Sequence, residues 1–384
     1  MTTDEKRAPN RESDKPPSPR PEKASQPQEV TGRPKWLVAV LANVKGETDL
    51  PEDSPPDAGA EFDRSETIQS IRQAIETAGH RTIFLPADSE LPHTLNEARP
   101  DICFNIAEGV RGDGREAQVP ALLEMMGIPY TASQVVANAI SLEKTLTKRL
   151  WRDANLPVTP FQEFTSVEDS LRRPGLIYPL FVKPSREGTG MGVDLGAVVK
   201  DEGELRERVT WVLETYRQPA LVETFLPGRE FTVGVLGRRD FPPYSRRPDL
   251  YGPDGFHRFP VLEIESHRSV TPGVYGYKAK SKDIWESGAP GYVCPADIPP
   301  KLVEQLQRLA FRAHRAITAL DVSRIDFRLD ADGNPYLLEI NTLPGLNPEI
   351  SDLCIMSNAE GLPYEQLILE ILDLAALRFG LLSN

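Results

Sequence analysis

The apolar positions of this chain fall into short blocks with two alternating periods. Trp36-Leu-Val-Ala-Val-Leu41 is a continuous apolar run, and a run of that length predicts a buried strand. Ile68, Ile71 and Ile75 recur at helical spacing, and Gly79 supplies the stop. Thr82-Ile-Phe-Leu85 and Ile102-Cys-Phe-Asn-Ile106 predict two further strands, and helical spacing returns between Glu116 and Met126. Residues 42–64 are acidic and Pro-rich and predict a loop. Strands alternating with helices predict a parallel α/β unit over about 34–140.

A helix is expected over 141–153, then strand Leu180-Phe-Val-Lys183, a helix over 203–216 and strand Leu221-Val-Glu223. Strand Phe231–Leu236 opens a third segment, and the Pro/Arg/Gly-rich stretch 238–260 reads as an exposed excursion. Leu302, Leu306, Leu309, Ala313 and Ile317 form one stripe of a helix over 301–319. A β-hairpin is expected over 323–341 and a last helix over 364–378. Residues 1–33 hold Pro, Ser and charge with almost no large apolar side chain, which predicts a disordered tail. The expected organisation is thus a tail (1–33), an N-terminal α/β domain (34–140), a central lobe (141–225) and a C-terminal lobe (226–384).

Charge and composition narrow the function. The 384 residues carry a net charge of −13, which argues against nucleic acid as a partner, because a phosphate backbone needs a basic surface. No apolar run approaches membrane-spanning length, and no secretory leader is visible at the N-terminus. Cys103, Cys294 and Cys354 lie far apart, which suits neither a disulfide framework nor a zinc site and fits the reducing cytoplasm.

Candidate chemistry concentrates in two places. In Ser-Arg-Ile-Asp-Phe-Arg-Leu (323–329), Arg324, Asp326 and Arg328 share one face of a strand, and Glu339 and Asn341 share a face of the return strand. If Leu329 pairs with Tyr336, Asp326 lies opposite Glu339 and Arg324 opposite Asn341. Carboxylates so opposed repel unless a cation lies between them, and oxygen donors suit Mg²⁺; a solvated polar face is the plainer alternative. In Phe181-Val-Lys-Pro-Ser-Arg-Glu-Gly-Thr-Gly-Met-Gly192, a buried strand delivers Lys183 to a loop with Gly188, Gly190 and Gly192. Glycines let backbone N–H groups approach phosphate, although an ordinary turn has the same composition. Lys144 on a helix, and Glu223 and Glu230 at strand ends, read individually as surface.

Their joint order resembles the ATP-grasp superfamily, and more narrowly the D-alanine–D-alanine ligases. The resemblance rests on VKPSREGTGMG, ETFLPGREFTVGVLG, YKAK, SRIDFRLDADGNPYLLEINTLPG and LLEMMGIPYTAS, and it covers about 34–380. It implies an N-terminal Rossmann-like (pre-ATP-grasp) domain followed by a two-lobed ATP-grasp domain, hence α/β and α+β architecture. It implies an ATP-dependent carboxylate–amine ligase working through an acyl phosphate. Joining of other amino acids or of a different carboxylate and amine, or nucleotide binding without ligation, are the alternatives. By resemblance, Lys144 and Lys183 contact ATP phosphates, Glu223 belongs to the adenine pocket and Glu230 holds the ribose. Gly188, Thr189 and Gly190 form the closing loop, and Lys280 points at the γ-phosphate. Asp326, Glu339 and Asn341 bind two Mg²⁺, with Mn²⁺ as a substitute, and Arg324 steadies the acyl oxyanion. Small-molecule amino acids are the implied partners, and a homodimer is compatible with the resemblance.

The departures gather at the first-substrate site. The ligases place a Gly-rich loop and a Glu after the first strand, where this chain has ANVKGETDLPEDSPPDAGAEFDRSE. A later His of the ligases is replaced by a segment with Glu108, Arg115 and Glu116. One of Glu61, Asp63, Glu66, Glu108 or Glu116 is expected to take a substrate ammonium, with Glu116 the better placed of the rim residues Glu108 and Glu116. Ser351 matches the family's serine after Pro344-Gly345 only approximately.

Overall fold

In the computed structural model, residues 33–265, 276 and 290–382 are described. Strands β1 (Leu37–Ala42), β2 (Arg81–Pro86) and β3 (Ile102–Asn105) form a parallel sheet in the order β2-β1-β3. Successive side chains of a strand face opposite ways. Val38 and Val40 pack with α1 (Ser65–Thr77), while Ala39 and Leu41 pack with α2 (Leu91–Ala98) and α3 (Gln118–Met126). Burial on both faces explains the unbroken apolar run of β1.

Helices α4 (Val135–Leu142) and α5 (Lys144–Asp153) follow. The single helix expected over 141–153 is broken at Glu143, whose backbone is extended at ψ 92°. The Glu143 carboxylate accepts from the Thr145 N–H at 3.2 Å, capping α5, and also from the Ser185 hydroxyl. The Lys144 N–H donates to the Ser185 carbonyl at 2.9 Å. The break therefore fastens the start of α5 to the end of a neighbouring strand. That strand belongs to an antiparallel sheet of β4 (Phe161–Phe164), β5 (Leu180–Pro184), β6 (Val198–Val199) and β7 (Ala220–Thr224), in the order β4-β7-β5-β6. Helix α6 (Glu202–Tyr216), capped by Asp201, covers it through Leu205, Val209 and Val212.

The third sheet holds β8 (Glu230–Gly237), β9 (Phe256–Arg258), β10 (Leu262–Glu265), β11 (Gly291–Val293), β12 (Val322–Leu329) and β13 (Pro335–Asn341). Its order is β11-β10-β8-β12-β13, with β9 also on β8. Helix α7 (Pro300–Ala316) packs Leu306, Leu309 and Ala313 against Phe231, Val233, Ile325 and Phe327 on one face. Polar side chains of β8 and β12 are left for the other.

Helices α8 (Asp352–Ala359) and α9 (Tyr364–Arg378) end the chain. Leu367, Ile371, Leu372 and Ala375 of α9 share a core with Val38, Val40, Ile71 and Ile75, so the last helix completes the first sheet. The stretch 238–260 is not an exposed excursion. Phe241, His257 and Phe259 are buried, and the Ser245 and Tyr251 hydroxyls donate to Glu370 of α9 at 2.7 and 2.8 Å. Two aromatic anchors outweigh the polar composition around them. Arg33, assigned above to the tail, pairs with buried Asp373 and donates to the Tyr244 carbonyl. Among the described residues no helix is long and apolar enough to cross a membrane.

Candidate active site

The hairpin β12–β13 sets Asp326 opposite Glu339 and Arg324 opposite Asn341, the juxtaposition expected from sequence. The route to it differs. Leu329 pairs with Pro335 and Phe327 with Leu337, one residue off the assumed register, and a bulge between Asp326 and Phe327 restores the pairing. Leu338 is the extra residue, and it lines the cleft beside Glu339 while Leu337 stays buried. A bulge bends a strand and re-aims its side chains. Here it turns two consecutive residues, one apolar and one acidic, toward the same site.

The cleft has two cavities. The first is walled by Phe181, Met191, Phe225, Leu226 and Leu338, with Lys183, Glu223, Glu230 and Arg328 at its polar edges. Glu223 is buried between two ammonium groups, Lys148 Nζ at 2.9 Å and Lys183 Nζ at 3.1 Å. The Thr159 hydroxyl also donates to it at 2.9 Å. Burial pushes the Glu223 carboxyl up, but the two ammoniums outweigh it and hold it at about 2. Burial lowers Lys148, against the pull of Glu223. Glu230 faces Arg328 at 3.3 Å.

The second cavity, of about 190 Å³, lies across the Gly-rich loop. Gly188 and Thr189 line it, whereas Gly190 and Met191 line the first, so the loop crosses from one to the other. Thr189 adopts φ +50° and Gly190 φ +69° to make that crossing. Lys144 and Glu339 line both cavities and face each other at 3.4 Å. Arg324 borders the second cavity, Asp326 the first, and they form a two-pronged pair at 2.9 and 2.8 Å. Asp352 approaches Arg324 at 3.2 Å, and the Thr232 hydroxyl donates to Asp326 at 2.7 Å.

Asp326, Glu339 and Asn341 offer two carboxylates and an amide oxygen, a hard donor set that suits Mg²⁺ completed by phosphate oxygens. The Asn341 Nδ2 is buried without a hydrogen-bond partner. Turning that amide over would aim its oxygen into the same space. Among the described residues no three His, Cys, Asp and Glu side chains converge on one point, as expected when an Asn and the substrate supply the remaining donors.

Four acids line the second cavity: Glu61, Asp63, Glu108 and Glu116. Arg115 donates to Glu61 Oε1 from Nε at 3.0 Å and from Nη2 at 2.7 Å, so Glu61 is already balanced. Burial pushes Asp63 up to about 7 and Glu116 up to about 8, the latter with help from Glu61, and it raises Glu108 as well. Glu66 is exposed on α1 and does not line the cavity, so it leaves the set of candidates. Ser351 does line it, with its Oγ accepting from the Asn347 N–H at 2.9 Å.

The structure brings together Lys144, Lys183, Gly188, Thr189, Gly190, Glu223, Glu230, Arg324, Asp326, Glu339 and Asn341 along these two cavities. Lys280 lies outside the described residues. Sequence reasoning missed Lys148, because a helical lysine reads as surface. Its signal was its place four residues beyond Lys144, on the same face of α5. Leu338 was missed because alternation assigns it no place without the bulge.

Comparison with known proteins gives three findings. The family model described as the D-ala D-ala ligase C-terminus matches residues 150–373. A D-alanine–D-alanine ligase of Aquifex aeolicus is 31% identical over 302 residues, 79% of this chain and 92% of that protein. The corresponding figures are 33% over 296 residues for D-alanine–D-alanine ligase B of Chromobacterium violaceum, 76% and 85%. An uncharacterized protein of Sinorhizobium fredii is 32% identical over 321 residues, 81% and 87%. Among solved structures, a D-alanine–D-alanine ligase of Bacillus anthracis complexed with ATP superposes with a TM-score of 0.66 at 18% identity, covering 90% of this chain and 99% of that one.

Proposed function

Because the chain belongs to the D-alanine–D-alanine ligase family of ATP-grasp enzymes and is an ATP-dependent ligase, we propose that it joins two amino acids through an acyl phosphate, with D-alanine the first candidate for both. A carboxylate oxygen of the first amino acid attacks the γ-phosphorus, and the bond to the bridging oxygen of ADP breaks. The amine of the second, having lost a proton, attacks the acyl carbon and inorganic phosphate leaves. The observation that carries this reading is that Lys144 and Glu339 line both cavities. The γ-phosphate and the reacting carboxylate must meet at such a junction.

In this reading Lys144 and Lys183 bind phosphates, with Lys280 toward the γ-phosphate. Glu223 and Glu230 border the adenosine. Gly188, Thr189 and Gly190 cover the reacting groups, which matters because an acyl phosphate hydrolyses when water is admitted. Arg324 stabilises the developing oxyanion. Asp326, Glu339 and Asn341 would hold Mg²⁺, which neutralises charge on the transferring phosphoryl group when bound. The free cysteines suit a cytoplasmic enzyme.

A second reading, ligation of a different amino-acid pair, is favoured by Asp63, Glu108 and Glu116, for which the second cavity holds, among the described residues, no matching cation beyond those already paired. Phosphate release with D- and L-amino acids, with product masses, decides between the two. A D-Ala-D-Ala product is expected under the first. Asp326→Asn and Glu339→Gln should abolish turnover in chains that still fold, with some loss of thermal midpoint because each leaves a buried cation, Arg324 or Lys144, short of its partner; normal turnover in both would end the metal assignment.

A further inference from the structure

Only the end of the acidic, Pro-rich segment between β1 and α1, at Glu61 and Asp63, reaches the second cavity, yet the segment before it crosses from the N-terminal sheet to the central sheet and grips the Gly-rich loop. Asp57 Oδ2 accepts from the Gly192 N–H at 2.9 Å, and both carboxylate oxygens lie 2.9 Å from the Tyr216 hydroxyl, which donates to them. Gly192 is held on its other side too, because Arg208 donates to its carbonyl at 2.6 Å. Nothing but glycine fits there. The backbone stands at φ +68°, and a Cβ would lie 2.5 Å from Pro184 Cγ.

The leading end of the loop is tied from the same side. Arg115, paired with Glu61, donates to the Arg186 carbonyl at 2.8 Å and approaches Glu187 at 3.1 Å. The approach is close enough that a Cβ at Gly188 would lie 2.6 Å from Glu61 Oε2. Both ends of the loop are therefore fixed by the N-terminal domain, while the part between them spans the two cavities.

We propose that Asp57 is a positioning residue for the ligase reaction: it latches Gly192 to the N-terminal domain and holds the Gly-rich loop over the reacting groups. This rests on the ligase reading, in which the loop keeps water from the acyl phosphate. A latch of this kind acts on coupling. When it is lost, ATP still binds and phosphoryl transfer still occurs, but the intermediate reaches water before the second amine arrives. Phosphate release then exceeds product formation. Tyr216 supports the latch from α6, and Asp57→Asn preserves it, since an amide oxygen still accepts from Gly192 and the amide nitrogen donates to the tyrosine oxygen.

The test uses the full chain and the variants Asp57→Ala, Asp57→Asn and Tyr216→Phe. Hydrogen exchange of the free enzyme is followed in peptides covering 188–193, and phosphate and ligated product are counted in the same assay. Losing a hydrogen bond to a charged acceptor predicts exchange faster by about tenfold or more in Asp57→Ala. The ratio of phosphate to product should rise several-fold in that variant and stay near the wild-type ratio in Asp57→Asn, with Tyr216→Phe between them. Unchanged exchange in Asp57→Ala overturns the latch. Faster exchange with an unchanged ratio overturns its role in coupling, and equal damage from Asn and Ala reduces Asp57 to a fold-stabilising charge. A wild-type chain that hydrolyses ATP yet joins no amino acids fails the ligase reading, and the exchange arm still decides the latch.

Discussion

Glu223 and Glu116 show how the same side chain is driven opposite ways by its surroundings. Glu223 is held at about 2 against an ordinary 4.5. A carboxyl lowered on folding stabilises the protein above its unfolded value, and that contribution disappears as pH falls from about 4.5 to about 2. Chemical denaturation of the wild type should lose stability over that window, and Glu223→Gln should lose the slope. Because the variant leaves Lys148 and Lys183 buried without their partner, it should also cost about 3–5 kcal/mol at neutral pH. Glu116, raised to about 8, must ionise to hold an ammonium. The KM for the amino acid should fall as pH rises toward 8. Glu116→Gln should raise that KM about tenfold or more and flatten its pH dependence, with the KM for ATP unchanged, as expected for losing a charge-assisted contact. Residues whose role follows from position in a strand, such as Asp326 and Glu339, were legible in the sequence. Lys148 and the Arg115–Glu61 pair were not, since their meaning comes from burial and from partners remote in the chain.

At the scale of elements, periodicity located most helices and strands and misjudged their seams. The break at Glu143 is fastened to β5 through Ser185, and beside the bulge Lys148 of α5 donates to the Leu337 carbonyl at 3.0 Å; local spacing encodes neither contact. Short β9, β10 and β11 escaped because polar and Pro-rich neighbours mask them. The bulge lets one strand serve two purposes: Leu338 faces the first cavity alone, whereas Glu339 faces both. Truncating Leu338 to Ala removes about 1 kcal/mol of apolar contact from a half-buried site. The KM for ATP should rise about fivefold, with the Mg²⁺ concentration dependence and thermal midpoint little changed. A shift in the metal dependence instead would show that the two positions are not separable.

At the scale of the whole molecule, the polar and acidic connections hold the parts together. Asp373, inside α9, is balanced by Arg246 at 2.8 Å and by Arg33. Arg33→Ala should cost about 1–3 kcal/mol by removing a hydrogen-bonded charge from a buried partner, whereas deletion of residues 1–32 should leave the midpoint and turnover nearly unchanged. A large drop on that deletion would show that the preceding segment docks. The alternation of strands and helices made the α/β unit legible, but not that its sheet is finished by α9, which lies more than three hundred residues from β1 in the chain. That closure has a consequence for how the protein is made. β1 leaves the ribosome well before α9 and must wait for it, because Val38, Val40, Ile71 and Ile75 pack against Leu367, Ile371 and Leu372. A message truncated before codon 364 would yield a chain with every residue of the two cavities already translated, yet with an apolar sheet face bare to chaperones and proteases.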